Sequence, residues 1–252
     1  MAELKADERL LISKAQDSLR IAEKQYIPKT LGFLNPYEKR LIQREVLPAA
    51  GMNMIFDGGY EQAERTMLVC YPEYCDFSQE EYLCLLKCQG RELSGLSHRD
   101  YLGSLMGLGI TRENIGDILV TDDGGYIFVK QEMAEYILQN LTKIGRRGIH
   151  IEKCLPSNVT LPEREVKEVR GTVSSLRLDA VLSTAICISR GKTADLIKAG
   201  LVEVNWENVQ DVSAGVKEGD IISARGYGRM ELSDIGGLTR KGRYSITVSR
   251  FI

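Results

Sequence analysis

Apolar residues near the start of the chain fall at Leu4, Leu11, Ala15, Leu19 and Ala22 with charges between them, close to the period of an amphipathic helix. A second helix is announced by "NPYEKRLIQREVLP". There Asn35 caps, Pro36 takes the first turn, Glu38 completes a capping box and Pro48 stops the helix. Its outer side carries Lys39, Arg40 and Arg44, either as a solvated face or as an RNA contact. "FDGGYEQAER" is a glycine turn that leads out of this helical region. From about residue 66 the pattern changes. "TMLVCY" and "EYLCLLKCQ" read as strands, "SHRDYLGSLMGLG" as a helix, "GDILVTDDGGYIFV" as a hairpin, "KQEMAEYILQNLTKIG" as a helix and "RRGIHIEKC" as a strand. Asp123-Gly124 between alternating apolar residues signals a tight hairpin.

Taken from Glu81, the order is β-α-β-β-α-β, which fits a ferredoxin-like or RRM-like layer of helices on one sheet face. The aromatic strand with which an RRM stacks bases is missing. Tyr126 and Phe128 share one face of the hairpin, either as core or as a base platform. "PSNVTLPEREVKEVRGTVSS" has two prolines and alternating charge and reads as a linker ending in a strand. Beyond it, "LRLDAVLSTAI" places Leu178, Val181, Leu182 and Ala185 on one helical face. Ser189 then caps a helix that buries Thr193, Ala194, Leu196 and Ile197 and ends at Gly200. The strand "LVEVN", ending in Asn-Trp, and the strand around "GDIISARG" follow. The predicted fold class is α+β, in four parts: a helical region over 1–65, a middle domain over 66–155, a linker and strand over 156–175, and a basic C-terminal module over 176–252.

Charge sharpens that division. The net charge of −2 excludes a global cationic field, so any nucleic-acid site is local. Residues 176–252 hold eleven Lys and Arg against nine Asp and Glu, whereas the preceding residues hold 22 against 26. No apolar run approaches the ~20 residues of a membrane span. The charged, amphipathic start has no signal-peptide pattern, and with six cysteines along the chain the expected setting is reducing and cytoplasmic. Cys70, Cys75, Cys84 and Cys88 invite a zinc reading. "YLCLLKC" is a strand, however, and its two thiols are spaced too widely for a chelate loop, which favours buried thiols.

Catalytic patterns fail on spacing. "SHRD" lacks the asparagine of a kinase catalytic loop, since Leu105 stands there, and Ser97 with Asp100 is more simply a helix cap. His98 and His150 have no nucleophile nearby in sequence. "GSLMGLG" lies within a helix and "GYGRME" lacks a third glycine, so neither cradles a phosphate. "TDDGG" lacks the frame of a calcium loop. An enzyme is disfavoured.

What remains is cationic. The capped helix start beside Arg190 is a ready phosphate site, with Arg190 and Lys198 along one edge of the helix and Lys192 on the other side. Arg225 and Arg229 flank Tyr227 in a glycine-rich bend. "RLDAVLSTAICISRGKTADLIKAGLVEVN" followed by "VKEGDIISARGYGR" closely resembles the S4 RNA-binding domain. "FDGGYEQAER", "YPEY", "SHRDYLGSLMGLGITRENIGDILV" and the tail "GRMELSDIGGLTRKGRYSITVSRF" resemble YlmH-type S4-domain proteins. The resemblance thus covers nearly the whole chain. It implies a bacterial, cytoplasmic, non-catalytic protein of ribosome-associated quality control, whose S4 domain grips rRNA and tRNA on the large ribosomal subunit. It also implies cell-division proteins as a further partner class, through the family's gene neighbourhood, and no cofactor, membrane or small-molecule substrate. Carried over by motif, RNA contact falls on Arg177, Ser189, Arg190, Lys192, Lys198, Asn205, Arg225 and Arg229. The alternatives are an RNA-modifying enzyme carrying an S4 domain and a cell-division scaffold. The first is weakened because Asp179 is followed by "AVLS" rather than a pseudouridine synthase pattern.

Overall fold

The computed structural model describes residues 4–91, 93–156 and 166–251. The chain divides into two compact units, residues 1–162 and 163–252.

The first unit opens with α1 (Ala6–Gln25), whose buried Ala15, Ser18, Leu19 and Ala22 follow the expected helical spacing. Next come β1 (Lys29–Leu34), α2 (Pro36–Glu45), β2 (Met52–Asp57) and β3 (Thr66–Pro72). The capping box of α2 is present: Glu38 N donates to Asn35 Oδ1 at 2.9 Å and Asn35 N donates to Glu38 Oε2 at 2.7 Å. The helix ends at Glu45, ahead of Pro48. Besides the two expected helices, the region folds a three-stranded antiparallel sheet in the order β1-β3-β2. The strand "TMLVCY", expected to begin the middle domain, is the centre of this sheet and hydrogen-bonds to β1 and β2.

The rest of the unit contains β4 (Leu83–Gln89), α3 (His98–Gly107), β5 (Ile115–Thr121), β6 (Gly124–Lys130), α4 (Gln131–Asn140), a short hairpin of β7 (Lys143–Ile144) and β8 (Arg147–Gly148), and β9 (His150–Cys154). Helix α4 stops short of the stretch expected, and that hairpin takes the remainder. The sheet order β5-β6-β4-β9 is that of a split βαβ fold, as the element order predicted. In the β5–β6 hairpin Thr121 pairs with Gly124, so Asp122 and Asp123 form the turn. A Cβ on Gly124, at φ +153°, would stand 2.0 Å from the Cys88 carbonyl oxygen, which only glycine avoids.

Strand β4 is apolar without alternation because both its faces are buried. Cys84, Leu86 and Cys88 pack with Tyr101, Leu105, Ala134 and Ile137 of α3 and α4. Leu83 and Leu85, on the opposite face, join Leu119 and Phe128 against Phe33 of β1 and Met67 of β3. Gly116 allows that approach, since a Cβ there would meet the Phe33 ring at 2.6 Å. The sheet face on which an RRM would stack bases is thus filled by the preceding segment. Phe128 is fully buried and Tyr126 packs against the cluster it belongs to. Asp117 ties the junction by accepting from Tyr60 OH at 2.7 Å, Glu64 N at 2.8 Å and Arg65 N at 3.1 Å.

The second unit comprises β10 (Val166–Val173), α5 (Leu178–Ile186), α6 (Arg190–Lys198), β11 (Val202–Val204), β12 (Glu207–Asn208), β13 (Ile221–Ala224), β14 (Gly228–Leu238) and β15 (Tyr244–Phe251). Its six strands form one sheet in the order β10-β15-β14-β13-β11-β12. Leu178, Val181, Leu182 and Ala185 of α5 and Ile197 of α6 pack against Val202, Ile222, Met230 and Val248. The strand expected at the end of the linker, β10, pairs along its full length with β15. Most of the linker itself, 157–165, lies outside the described residues. Among those described, no helix is long and apolar enough to cross a membrane.

Candidate nucleic-acid interface

The helix pair of the second unit meets at one carboxylate. Asp179, in the first turn of α5, is 5% exposed. Its Oδ1 accepts from Arg177 Nε at 3.1 Å and its Oδ2 from Arg190 Nε at 3.2 Å, with Arg190 Nη2 on the same oxygen. Burial alone would raise this carboxyl. The hydrogen bonds from Arg190 and Arg177 outweigh it and hold the group below the ordinary carboxylate range. The two arginine side chains stay about half exposed, Arg190 at 53% and Arg177 at 42%. A buried anion thus fixes two solvent-facing cationic forks side by side, an arrangement suited to phosphate oxygens.

The two helix starts differ. At α5, Leu178 N and Asp179 N donate to the carbonyls of Ala214 and Val212, so its first donors are used internally. At α6, Ser189 caps by accepting from Lys192 N at 3.4 Å, and Ser189, Arg190, Gly191 and Lys192 are all exposed. Lys198, also exposed, stands about 80° around the helix and about 12 Å along it from Arg190, while Lys192 lies on the other side. Of the residues read from sequence, Arg177 and Arg190 are therefore brought together, and Ser189 shapes the helix start beside them.

Arg225 is exposed on the turn from β13 to β14, a bend made by Gly226 and Gly228, both at φ +88°. Arg229 lies on β14 with its guanidinium over the Trp206 ring, 5.4 Å from the centroid. Asn205, expected as an RNA contact, has its side-chain amide engaged inside the protein. Nδ2 donates to Asp220 Oδ1 at 2.9 Å and Oδ1 accepts from Ile221 N at 3.0 Å. Sequence reasoning missed two features. It gave Asp179 no part in the site, and it left Trp206 out; the signal for Trp206 was a tryptophan directly after an asparagine.

The four thiols of the zinc reading, Cys70, Cys75, Cys84 and Cys88, belong to the first unit. Cys84 and Cys88 are buried on β4, and burial pushes the Cys70 and Cys88 thiols up to about 12.

Comparison with known proteins follows the same division. Residues 77–158 match the family described as "Putative RNA-binding domain in YlmH", and residues 176–222 match the S4 domain. Ribosome-associated protein quality control protein P2 of Bacillus subtilis (strain 168) is 37% identical over 246 residues, covering 97% of this chain and 95% of that protein. The solved structure of cell division protein ylmH from Streptococcus pneumoniae shares the fold, with a TM-score of 0.53 at 21% identity, over 63% of this chain and 97% of that one. Near full-length identity of this degree, with both domains in the same order, means that the chain belongs to the YlmH-type family of S4-domain RNA-binding proteins.

Proposed function

We propose that this protein binds structured rRNA and tRNA on the large ribosomal subunit and acts, without catalysing a reaction, in ribosome-associated quality control in the cytoplasm. The observation that carries the reading is the Arg177–Asp179–Arg190 cluster at the exposed start of α6. Arginine forks held by a buried acid meet phosphate oxygens with little ordering left to do, which favours folded RNA of defined backbone geometry. Lys192, Lys198 and Arg225 add charge to other parts of the unit. The name of the Bacillus subtilis relative supports the ribosomal setting. The filled sheet face in the first unit supports assigning base and phosphate contact mainly to the S4 unit.

Crosslinking in cells followed by sequencing of the attached RNA tests the reading. Large-subunit rRNA and tRNA are the expected products; recovery of mRNA alone, or of nothing, contradicts it. Incubation with labelled rRNA and S-adenosylmethionine, followed by nucleoside analysis, is expected to show no modified base. A modified base would establish an RNA-modifying enzyme instead.

A further inference from the structure

The turn between β11 and β12 consists of Asn205 and Trp206, since Val204 pairs with Glu207. Both turn residues have positive φ, +52° and +67°. A two-residue turn of this kind favours Asn followed by Gly. A bulky side chain in the second position is held against its backbone preference, and such residues gather at binding sites. Here the hold is visible. Besides its two side-chain bonds, Asn205 donates its backbone N–H to the Ile221 carbonyl at 2.7 Å, so three atoms fix the turn to Ile221 at the start of β13 and to Asp220 just before it.

What this rigid turn presents is a half-buried indole with the Arg229 guanidinium over its ring. Among the described residues, the indole makes no other ring contact and its N–H no hydrogen bond. Val202, Ile222 and Met230 point into the core with α5 and α6. Arg229 and its cross-strand partner Ser223 occupy the alternating positions, and so face the other side of the sheet. The pair is therefore on a different surface from the Arg177–Arg190 cluster.

From this we infer that Trp206 and Arg229 form a stacking site for one unpaired nucleobase, separate from the phosphate contacts of the helix layer. The inference rests on the RNA-binding reading above and adds a second element to it. Every base has a π-face, so an indole with a cation beside it accepts an unpaired base with little sequence preference. A base inside a continuous duplex is already stacked on its neighbours and does not fit.

Trp206 is the only tryptophan in the chain, so its emission reports on this site alone. The full-length protein is titrated with two RNA hairpins of equal length, one with a loop of unpaired purines and one with its loop replaced by a covalent linker. Saturable quenching by the first, at the concentrations where filter binding saturates, is expected, with no quenching by the second. Trp206→Gly, which suits the turn, is expected to fold and to keep its affinity for the linker hairpin. It should lose on the order of tenfold for the looped one, with Trp206→Phe in between. Binding of both hairpins without quenching, and with Trp206→Gly unchanged, overturns the stacking site and leaves the RNA-binding reading standing. Failure of both hairpins to bind overturns the stacking site and the RNA-binding reading together.

Discussion

Replacing Asp179 with asparagine tests whether one carboxylate organises the helix pair of the S4 unit. The side chain keeps its shape but loses its charge, and it presents an amide N–H₂ to one of two guanidiniums that can only donate. A hydrogen bond to a charged group contributes about 1.5–3 kcal/mol. Both arginines are more than a third exposed, so water takes over much of their charge, and asparagine retains one acceptor. The expected net loss is about 1–2 kcal/mol. Urea unfolding followed by Trp206 emission isolates the second unit, with the midpoint falling and the slope unchanged. The pH dependence carries an independent sign. Because the folded carboxyl titrates below its unfolded value of about 3.9, its contribution is full above that value and is lost as pH falls through the folded one. The gap between wild type and Asp179→Asn is therefore expected to be constant near neutrality and to close below about pH 4. A midpoint within about 0.5 kcal/mol of wild type at pH 7, or a gap that persists in acid, would refute the reasoning.

Two further outcomes follow from packing. Phe128→Ala removes a fully buried ring between the two sheets of the first unit and is expected to cost about 3–5 kcal/mol there, read by circular dichroism and limited proteolysis. The transition reported by Trp206 in the second unit should not move. With a thiol reagent at pH 8, the exposed Cys187 is expected to react fastest in the native protein, while Cys70 and Cys88 react only after unfolding. Rapid native labelling of Cys88 would contradict the burial of β4.

The parts of this fold that were legible in sequence are those whose signals are local. The capping box at Asn35, the hairpin at 121–124 and the helical spacing of Leu178, Val181, Leu182 and Ala185 each rest on residues within one turn or two. Strands β1 and β2 were not legible. Each is a six-residue run whose strand character depends on pairing with β3, and β3 itself lies far along the chain from β1. The same limit applies to the site. Arg177 and Asp179 are two residues apart, but Arg190 reaches that carboxylate only because α5 and α6 pack together. Asn205 was read as an RNA contact from its motif, whereas Asp220, fifteen residues on, takes its amide. The cations were visible in sequence; the buried acid that orients Arg177 and Arg190 required the tertiary structure.

The central claim is that cationic side chains of the S4 unit, rather than a reactive group, carry the activity. Filter binding of the full-length protein to large-subunit rRNA fragments across a salt series measures it directly. With about four phosphate contacts, the slope of log affinity against log salt is expected to be about −3 to −4. The Arg190→Glu, Lys198→Glu variant should be shallower by about two and weaker throughout. A slope near zero, or a variant indistinguishable from wild type, would contradict the account.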